Sequence, residues 1–192
     1  MEGVHNTIKR ELRFLIEASI KICFIQQNSY ESLITGKLKQ FDHELASQRI
    51  SIKKNLLLSL LPESLCEDFR EEMGRVYGLT SNYVHLTPEQ IEERIAAIDA
   101  GRTAGRESAG DVTALNELLS RGLGCSLVLL FHSVPTWVAG DWLVDFEDGS
   151  TNKWYFSRSR FVAGIDSHFD YKDERRKRLG KIQAKRQRKI SF

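Results

Sequence analysis

Apolar side chains recur at helical spacing over the first part of the chain. Six residues share one face of the segment 6–27: Leu12, Leu15, Ile16, Ser19, Cys23 and Phe24. Polar residues, Arg13 and Glu17 among them, fall outside this stripe and are expected to face solvent. The pattern predicts an amphipathic first helix, followed after a polar break by a second helix over 30–46.

Two prolines mark the starts of further helices. The residue before Pro62 is pushed out of the helical region, so a preceding helix would end there. Pro62 itself suits the first turn of a third helix over 62–77. Thr87, Pro88 and Gln90 have the spacing of a capping box, which predicts a fourth helix from 88. The glycine-rich stretch that follows, 99–111, predicts a loop.

The most apolar part of the chain predicts a long helix from 112 to beyond 131. Its unbroken apolar run covers only 127–131, and His132 and Pro135 follow at once. A spanning helix needs about 20 predominantly apolar residues. We therefore expect a central core helix and no membrane span, with His132 as a core histidine whose hydrogen bonds are satisfied.

The C-terminal part has a different pattern. An Asp-Gly pair lies between alternating aromatic runs, which predicts a β-hairpin in 141–170. The expected fold is mainly α: a helical bundle over 1–140, a small C-terminal β-hairpin extension over 141–170, and a basic tail over 171–192 that is helical or disordered.

Charge is distributed unevenly along the 192 residues, although the net charge is only +2. Residues 172–192 hold ten Lys/Arg against two Asp/Glu, a balance of +8. The rest of the chain holds 18 Lys/Arg against 24 Asp/Glu, a balance of −6. An acidic body with a basic tail indicates nucleic acid or another polyanion as a partner.

Basic residues near the C-terminus are the expected phosphate contacts, because cations that neutralise phosphates release counterions. They are Arg158, Arg160, Arg175, Arg176, Lys177, Arg178, Lys181, Lys185, Arg186, Arg188 and Lys189. Aromatic residues at 154–156 and 161 could stack on bases. The alternatives are a solvated tail, a contact with the acidic body or an acidic partner, and rings buried in the hairpin.

Cysteine and histidine usage excludes several kinds of site. The three cysteines lie far apart among apolar neighbours, without metal-ligand spacing or a disulfide framework. No HExxH, serine nucleophile elbow or nucleotide-binding phosphate loop occurs. We therefore expect no metal and no cofactor. Buried thiols and the absence of a secretion pattern at the N-terminus favour a cytoplasmic protein.

The first predicted helix contains "RELRFLIEASIKICFIQQ" at 10–27, and the third ends in "YGLTSNYVH" at 77–85, ahead of a further apolar helix. Together these two segments resemble the HEPN superfamily over roughly the first 135 residues. The resemblance implies a compact helical bundle from a bacterial defence or toxin–antitoxin system that acts on RNA. Nuclease members are metal-independent endoribonucleases, and two protomers usually form one composite site.

Carried over by position, the resemblance implies that His85 is the catalytic acid or base and that Asn82 orients it. Ser81 stands where the family's arginine is expected. Another arginine would then have to hold the phosphate, and the candidates are Arg10, Arg13 and Arg75. Histidine exchanges protons near neutral pH, and the arginine fork stays charged and donates two parallel bonds.

Three interpretations stay open at this stage. The first is a divergent ribonuclease that uses His85. The second is a non-catalytic module whose tail binds nucleic acid or nucleoprotein, with His85 bonding a carbonyl at the end of the third helix. The third is a protein-interaction subunit. The expected partners are nucleic acid, with RNA favoured, a protein partner or antitoxin, and a second copy in a homodimer.

Overall fold

The computed structural model describes residues 4–28, 31–46, 56–81, 88–101, 108–142 and 158–168, together with positions 180, 181, 183, 184 and 187. Seven helices occur in this part of the chain: α1 (Val4–Asn28), α2 (Ile34–Ala46), α3 (Glu63–Ser81), α4 (Pro88–Asp99), α5 (Ala109–Phe131), α6 (Thr136–Trp142) and α7 (Arg160–His168). The mainly α fold class is confirmed.

The core lies between α1, α3, α5 and α7. Four of the six residues of the predicted α1 stripe are buried, with Ile16 and Cys23 fully covered, whereas Phe24 is partly buried and Leu15 is 38% exposed. Gln27, near the end of α1, reaches the carbonyl of His132 at the end of α5, while Leu12 lies against Gly122. The two helices therefore run parallel. Since Arg13 meets Tyr77, late in α3, this third helix runs antiparallel to both.

Helix α5 is the centre of the bundle. It contacts α1, α3 and α7, and it buries Leu118, Val128 and Leu129. By length and composition alone, α5 could also cross a membrane, but more than half of that stretch is buried inside the protein. The prediction of a central core helix is confirmed.

Helix α5 also begins earlier than its apolar pattern predicts. Ser108 is its N-cap: the Ser108 hydroxyl accepts from the Asp111 backbone N–H at 3.1 Å, and the Asp111 carboxylate accepts from the Ser108 N–H at 3.3 Å. This reciprocal pair is a capping box formed with aspartate. It moves the helix start into the stretch 99–111 that was predicted to be loop.

Small residues allow the central helices to approach closely. A Cβ placed on Gly122 would lie 2.7 Å from Cδ1 of Leu12, and both residues are buried. Gly74 differs, because a Cβ there would meet nothing within 4 Å. The α1–α5 contact thus depends on the missing side chain at position 122.

The hairpin is not supported where the structure describes it. It was predicted in 141–170, but residues 141–142 end α6 and residues 160–168 form α7. Phe161 packs edge-on against Phe69 with ring centroids 5.2 Å apart, and a Cβ on Gly164 would lie 2.6 Å from Leu65. A short apolar run fits strand or helix equally well, and packing on α3 and α5 decides here. The stretches 143–157 and 169–170 of the predicted hairpin lie outside the described residues.

The starts of α3 and α4 follow the two prolines, whereas α2 starts later than predicted. Helix α4 begins at Pro88, as predicted, and α3 begins directly after Pro62. Helix α2 starts at Ile34 instead of 30, with the Leu33 carbonyl accepting from the N–H groups of Gly36 and Lys37. The segment 141–170, predicted to be an extension, supplies α7 to the common core.

Candidate functional site

Arg13 lies at the junction of α1 and α3, against the segment that carries the histidine motif. Its Nη2 donates to the Tyr77 hydroxyl, and its Cζ lies 4.3 Å from the centroid of the Tyr77 ring. Tyr77 is four residues before Ser81, the last residue of α3. The fold therefore brings Arg13 from α1 to the last turns of the third helix.

Two further charged residues continue this junction along α1. Glu17 accepts a 2.8 Å bond from Lys21 Nζ and lies 3.6 Å from Arg13 Nη2. The positions 13, 17 and 21 repeat every four residues, which stacks their side chains on one face. Only 4% of the Lys21 side chain and about a fifth of the other two is exposed. These three residues form what we call the α1 charge ladder.

The other two arginine candidates are exposed: Arg10 lies one turn before Arg13 on α1, and Arg75 lies two residues before Tyr77 on α3. The Arg10 side chain is 48% exposed, and its Nε lies 3.4 Å from Glu11. The Arg75 side chain is 63% exposed and pairs with Glu71 at 3.2 Å. Both pairs are with residues of the same helix and are accessible to water, so they hold the guanidinium groups weakly.

Glu72 connects α3 to α5 through a two-pronged ion pair. Its carboxylate accepts bonds from Arg121 Nε at 2.5 Å and Nη2 at 3.0 Å. The Glu72 carboxylate raises the pKa of Arg121 by bonding its charged form. Arg75 Nη1, on the same helix as Glu72, lies 3.9 Å from this carboxylate. The pair with Arg121 is therefore the contact through which Glu72 joins α3 to α5.

The second half of the histidine motif, 82–85, is not among the described residues. His85 and Asn82 lie outside the described residues, and their roles stay predictions. The same holds for eight basic residues of the tail: Arg175, Arg176, Lys177, Arg178, Lys185, Arg186, Arg188 and Lys189. Lys181 is exposed at a helical position, and Arg158 is exposed just before α7.

Arg160 does not extend freely from the body. Its Nη1 donates to Asp68 at 3.1 Å, and its Cζ lies 4.7 Å from the centroid of the Phe161 ring. This residue was predicted to contact nucleic acid. In the structure it also ties α7 to α3, which matches the alternative of a contact with the acidic body.

His132 is the core histidine that the sequence predicts. Its Nδ1 donates to the Val128 carbonyl at 2.8 Å, and its Nε2 accepts from the Leu60 N–H at 3.0 Å. Since one ring nitrogen donates and the other accepts, the neutral imidazole fits both partners. Burial lowers the pKa of His132 below its ordinary value of 6.5. This assigns His132 a structural role and makes it a poor proton donor at neutral pH.

The buried thiols are not poised for nucleophilic chemistry. Burial raises the pKa of Cys23 to about 11 and that of Cys125 to about 12. The thiolate is the reactive form, so both groups are inert at neutral pH. Within the described ranges no group of three or more His, Cys, Asp or Glu side chains could hold a metal ion.

The partners of Arg13 were not foreseen. Its periodic position predicts a solvated polar face, yet the side chains of Arg13, Glu17 and Lys21 lie largely buried, and Arg13 contacts α3. The four-residue spacing of opposite charges was a usable signal, because it predicts mutual pairing along a helix. The contact with Tyr77, 64 positions away along the chain, had no sequence signal.

Comparison of the chain with protein-family models, with characterised proteins and with solved structures finds no significant match.

Proposed function

We propose that this is a HEPN-like helical protein of a bacterial defence or toxin–antitoxin pair that acts on RNA, as a divergent metal-independent endoribonuclease. The observation that supports this best is the contact between Arg13 and Tyr77. The resemblance requires a guanidinium near His85, and the motif lacks one at Ser81. Helix α1 supplies a guanidinium to the same end of α3 that leads into Asn82.

In this proposal each group has a defined part in the reaction. His85 takes the proton of the ribose 2′-hydroxyl or returns one to the leaving oxygen, and Asn82 orients its ring. Arg13 stabilises the charge that develops on the phosphate. Tyr77 and Glu17 hold Arg13 in one orientation, and a pre-organised guanidinium loses less entropy when it binds phosphate. A second protomer would supply a second copy of each group.

The test is cleavage of single-stranded RNA in the presence of a chelator. His85→Ala is expected to abolish cleavage while leaving RNA affinity and the unfolding midpoint unchanged. Arg13→Lys keeps the charge but loses the planar fork, so we expect cleavage to fall by about 100-fold or more. Arg75→Lys is the matched comparison, because Arg75 is exposed and paired within its own helix. Cleavage that survives His85→Ala would contradict the proposal.

A second candidate function is a nucleic-acid-binding module that uses the basic tail. The +8 balance of residues 172–192 and the exposed Lys181 favour it. Truncation after His168 keeps α7 and is expected to remove most of the affinity for RNA. The truncated chain should also depend less on salt. The slope of the logarithm of the binding constant against the logarithm of the salt concentration should become shallower by about 0.7 for each phosphate of a single strand that is no longer neutralised. A protein-interaction subunit would instead bind neither RNA nor DNA at physiological salt.

A further inference from the structure

A cleft of about 380 Å³ lies between the C-terminal end of α1 and the α2 helix. It is lined by Phe24, Ile25 and Asn28 from α1 and by Lys39, Gln40, His43 and Glu44 from α2. Its volume falls near the lower end of the range for small-molecule sites, about 300–1,000 Å³. No residue of the α1 charge ladder lines it, so the cleft is a separate feature of the molecule.

The floor of the cleft is apolar and contains a ring. Ile25 is buried, and Phe24 packs partly against the core while also lining the cleft. A phenylalanine with one covered and one accessible side can stack on a flat heterocycle, and such stacking tolerates any base. The floor therefore suits a planar aromatic group.

The rim combines the Lys39 cation, the His43 imidazole and the amides of Asn28 and Gln40 with one carboxylate, Glu44, whose Oε1 lies 4.0 Å from His43 Nδ1. Lys39 is exposed and forms no ion pair with any residue that the structure describes, whereas Lys37 on the same helix bonds Gln26 at 2.6 Å. His43 lies one turn beyond Lys39, on the same side of α2, and its side chain is 85% exposed. Lys39 and His43 can together contact a single phosphate.

The amide of Asn28 has a fixed orientation at the other side of the rim. Its Nδ2 donates to the Phe24 carbonyl at 2.8 Å, which leaves the amide oxygen as an acceptor. Exocyclic amino groups and ring N–H groups of bases are donors that match such an acceptor. An inorganic anion would use only Lys39 and His43, and an apolar ligand only the floor.

We propose that this cleft binds one nucleotide, with its base on Phe24 and near Asn28 and its phosphate at Lys39 and His43. The proposal depends on the proposed function only for the source of the nucleotide, which is either one unit of an RNA strand or a free nucleotide. Both sources present the same base and phosphate to the cleft.

The test is calorimetric titration of the full chain with each of the four ribonucleoside monophosphates and with uridine. The variant Lys39→Gln/His43→Gln removes the phosphate contacts and is expected to weaken monophosphate binding by about tenfold or more, because it removes charge-assisted bonds. Lys37→Gln is the control, since it removes the same charge from the same helix outside the cleft. Uridine, which lacks the phosphate, should bind more weakly to the wild-type chain.

Parallel titrations with a short single-stranded RNA separate the two sources. If the double variant weakens both ligands, the nucleotide belongs to a strand. If only monophosphate binding falls, the cleft binds a free nucleotide. The proposed action on RNA is then tested by the His85→Ala experiment alone. Absence of monophosphate binding by the wild type, or equal affinities of the double variant and Lys37→Gln, would overturn the inference. Urea unfolding of each variant confirms that it is folded.

Discussion

Substitution of Gly122 by alanine tests the close approach of α1 and α5 directly. The new methyl group would lie 2.7 Å from Cδ1 and 3.0 Å from Cγ and Cδ2 of Leu12. Leu12 is 3% exposed and has little room to move. Overpacking of this kind costs about 1–3 kcal/mol of the free energy of unfolding. Alanine also favours the helix over glycine by about 1 kcal/mol, which partly offsets the loss.

Gly74→Ala isolates the packing contribution. Gly74 lies inside α3 with nothing within 4 Å of the added Cβ, so this variant should gain only the helix preference, about 0.5–1 kcal/mol. The difference between the two variants therefore equals the overpacking cost, about 1–3 kcal/mol. Urea unfolding followed by far-UV circular dichroism measures the free energy of unfolding of both variants, provided that its slope against urea concentration is the same in each.

A third variant removes the obstacle. Leu12→Ala alone should cost about 2–5 kcal/mol, because it leaves a cavity in the core. In that background the change Gly122→Ala should become stabilising, like Gly74→Ala, since the methyl group now has space. Equal shifts for Gly122→Ala and Gly74→Ala, or a destabilising Gly122→Ala when Leu12 is alanine, would refute the packing argument.

Three other predictions concern stability. Because burial lowers the pKa of His132, the unfolded chain binds a proton at this histidine at a higher pH than the folded chain does. The free energy of unfolding should therefore be complete above pH 6.5 and fall below it, since protonation removes the acceptor for the Leu60 N–H. Urea unfolding midpoints between about pH 5.5 and 7.5 measure this dependence. Glu72→Gln should cost about 1–2 kcal/mol in urea unfolding, less than a fully buried pair, because Arg121 is partly exposed. Ser108→Ala should cost about 1 kcal/mol because it removes the α5 cap, measured as a lower thermal midpoint.

Each of these has a control and a contrary result. For His132, the exposed His43→Gln should keep the pH dependence, whereas His132→Gln should remove it; an unchanged dependence in His132→Gln would contradict the argument. For Glu72, the exposed Glu71→Gln should change stability by well under 1 kcal/mol, and an equal destabilisation in both variants would contradict the inter-helix role. Thr113→Ala, also exposed on α5, is the comparison for Ser108; equal destabilisation there would mean that the cap contributes nothing specific.

Periodicity predicted the parts of the fold that depend on one helix burying one face. The stripe containing Ile16 and Cys23, the central position of α5 and the proline-marked start of α4 all follow from local spacing. The cap at Ser108 was also present in the sequence, but its partner is aspartate instead of the more familiar glutamate or glutamine.

The unpredicted features depend on neighbours that are distant in the chain. Arg13 lies off the apolar stripe of α1, and only the position of Tyr77 on α3 makes that side of the helix a partly buried junction. The residues 160–168 have an apolar pattern that fits either strand or helix, and contact with Phe69 selects the helix. The cleft between α1 and α2 depends on how two amphipathic helices meet, which periodicity does not specify.

The position of α7 in the core has a consequence for how the chain folds during synthesis. The bond between Arg160 and Asp68 joins residues 92 positions apart, and Phe161 fills space beside Phe69. The ribosome must therefore release the chain as far as α7 before the surface of α3 and α5 is covered. Contacts of such high sequence separation slow folding and leave apolar surface open in the meantime. A nascent chain that stalls before α7 would be a substrate for chaperones.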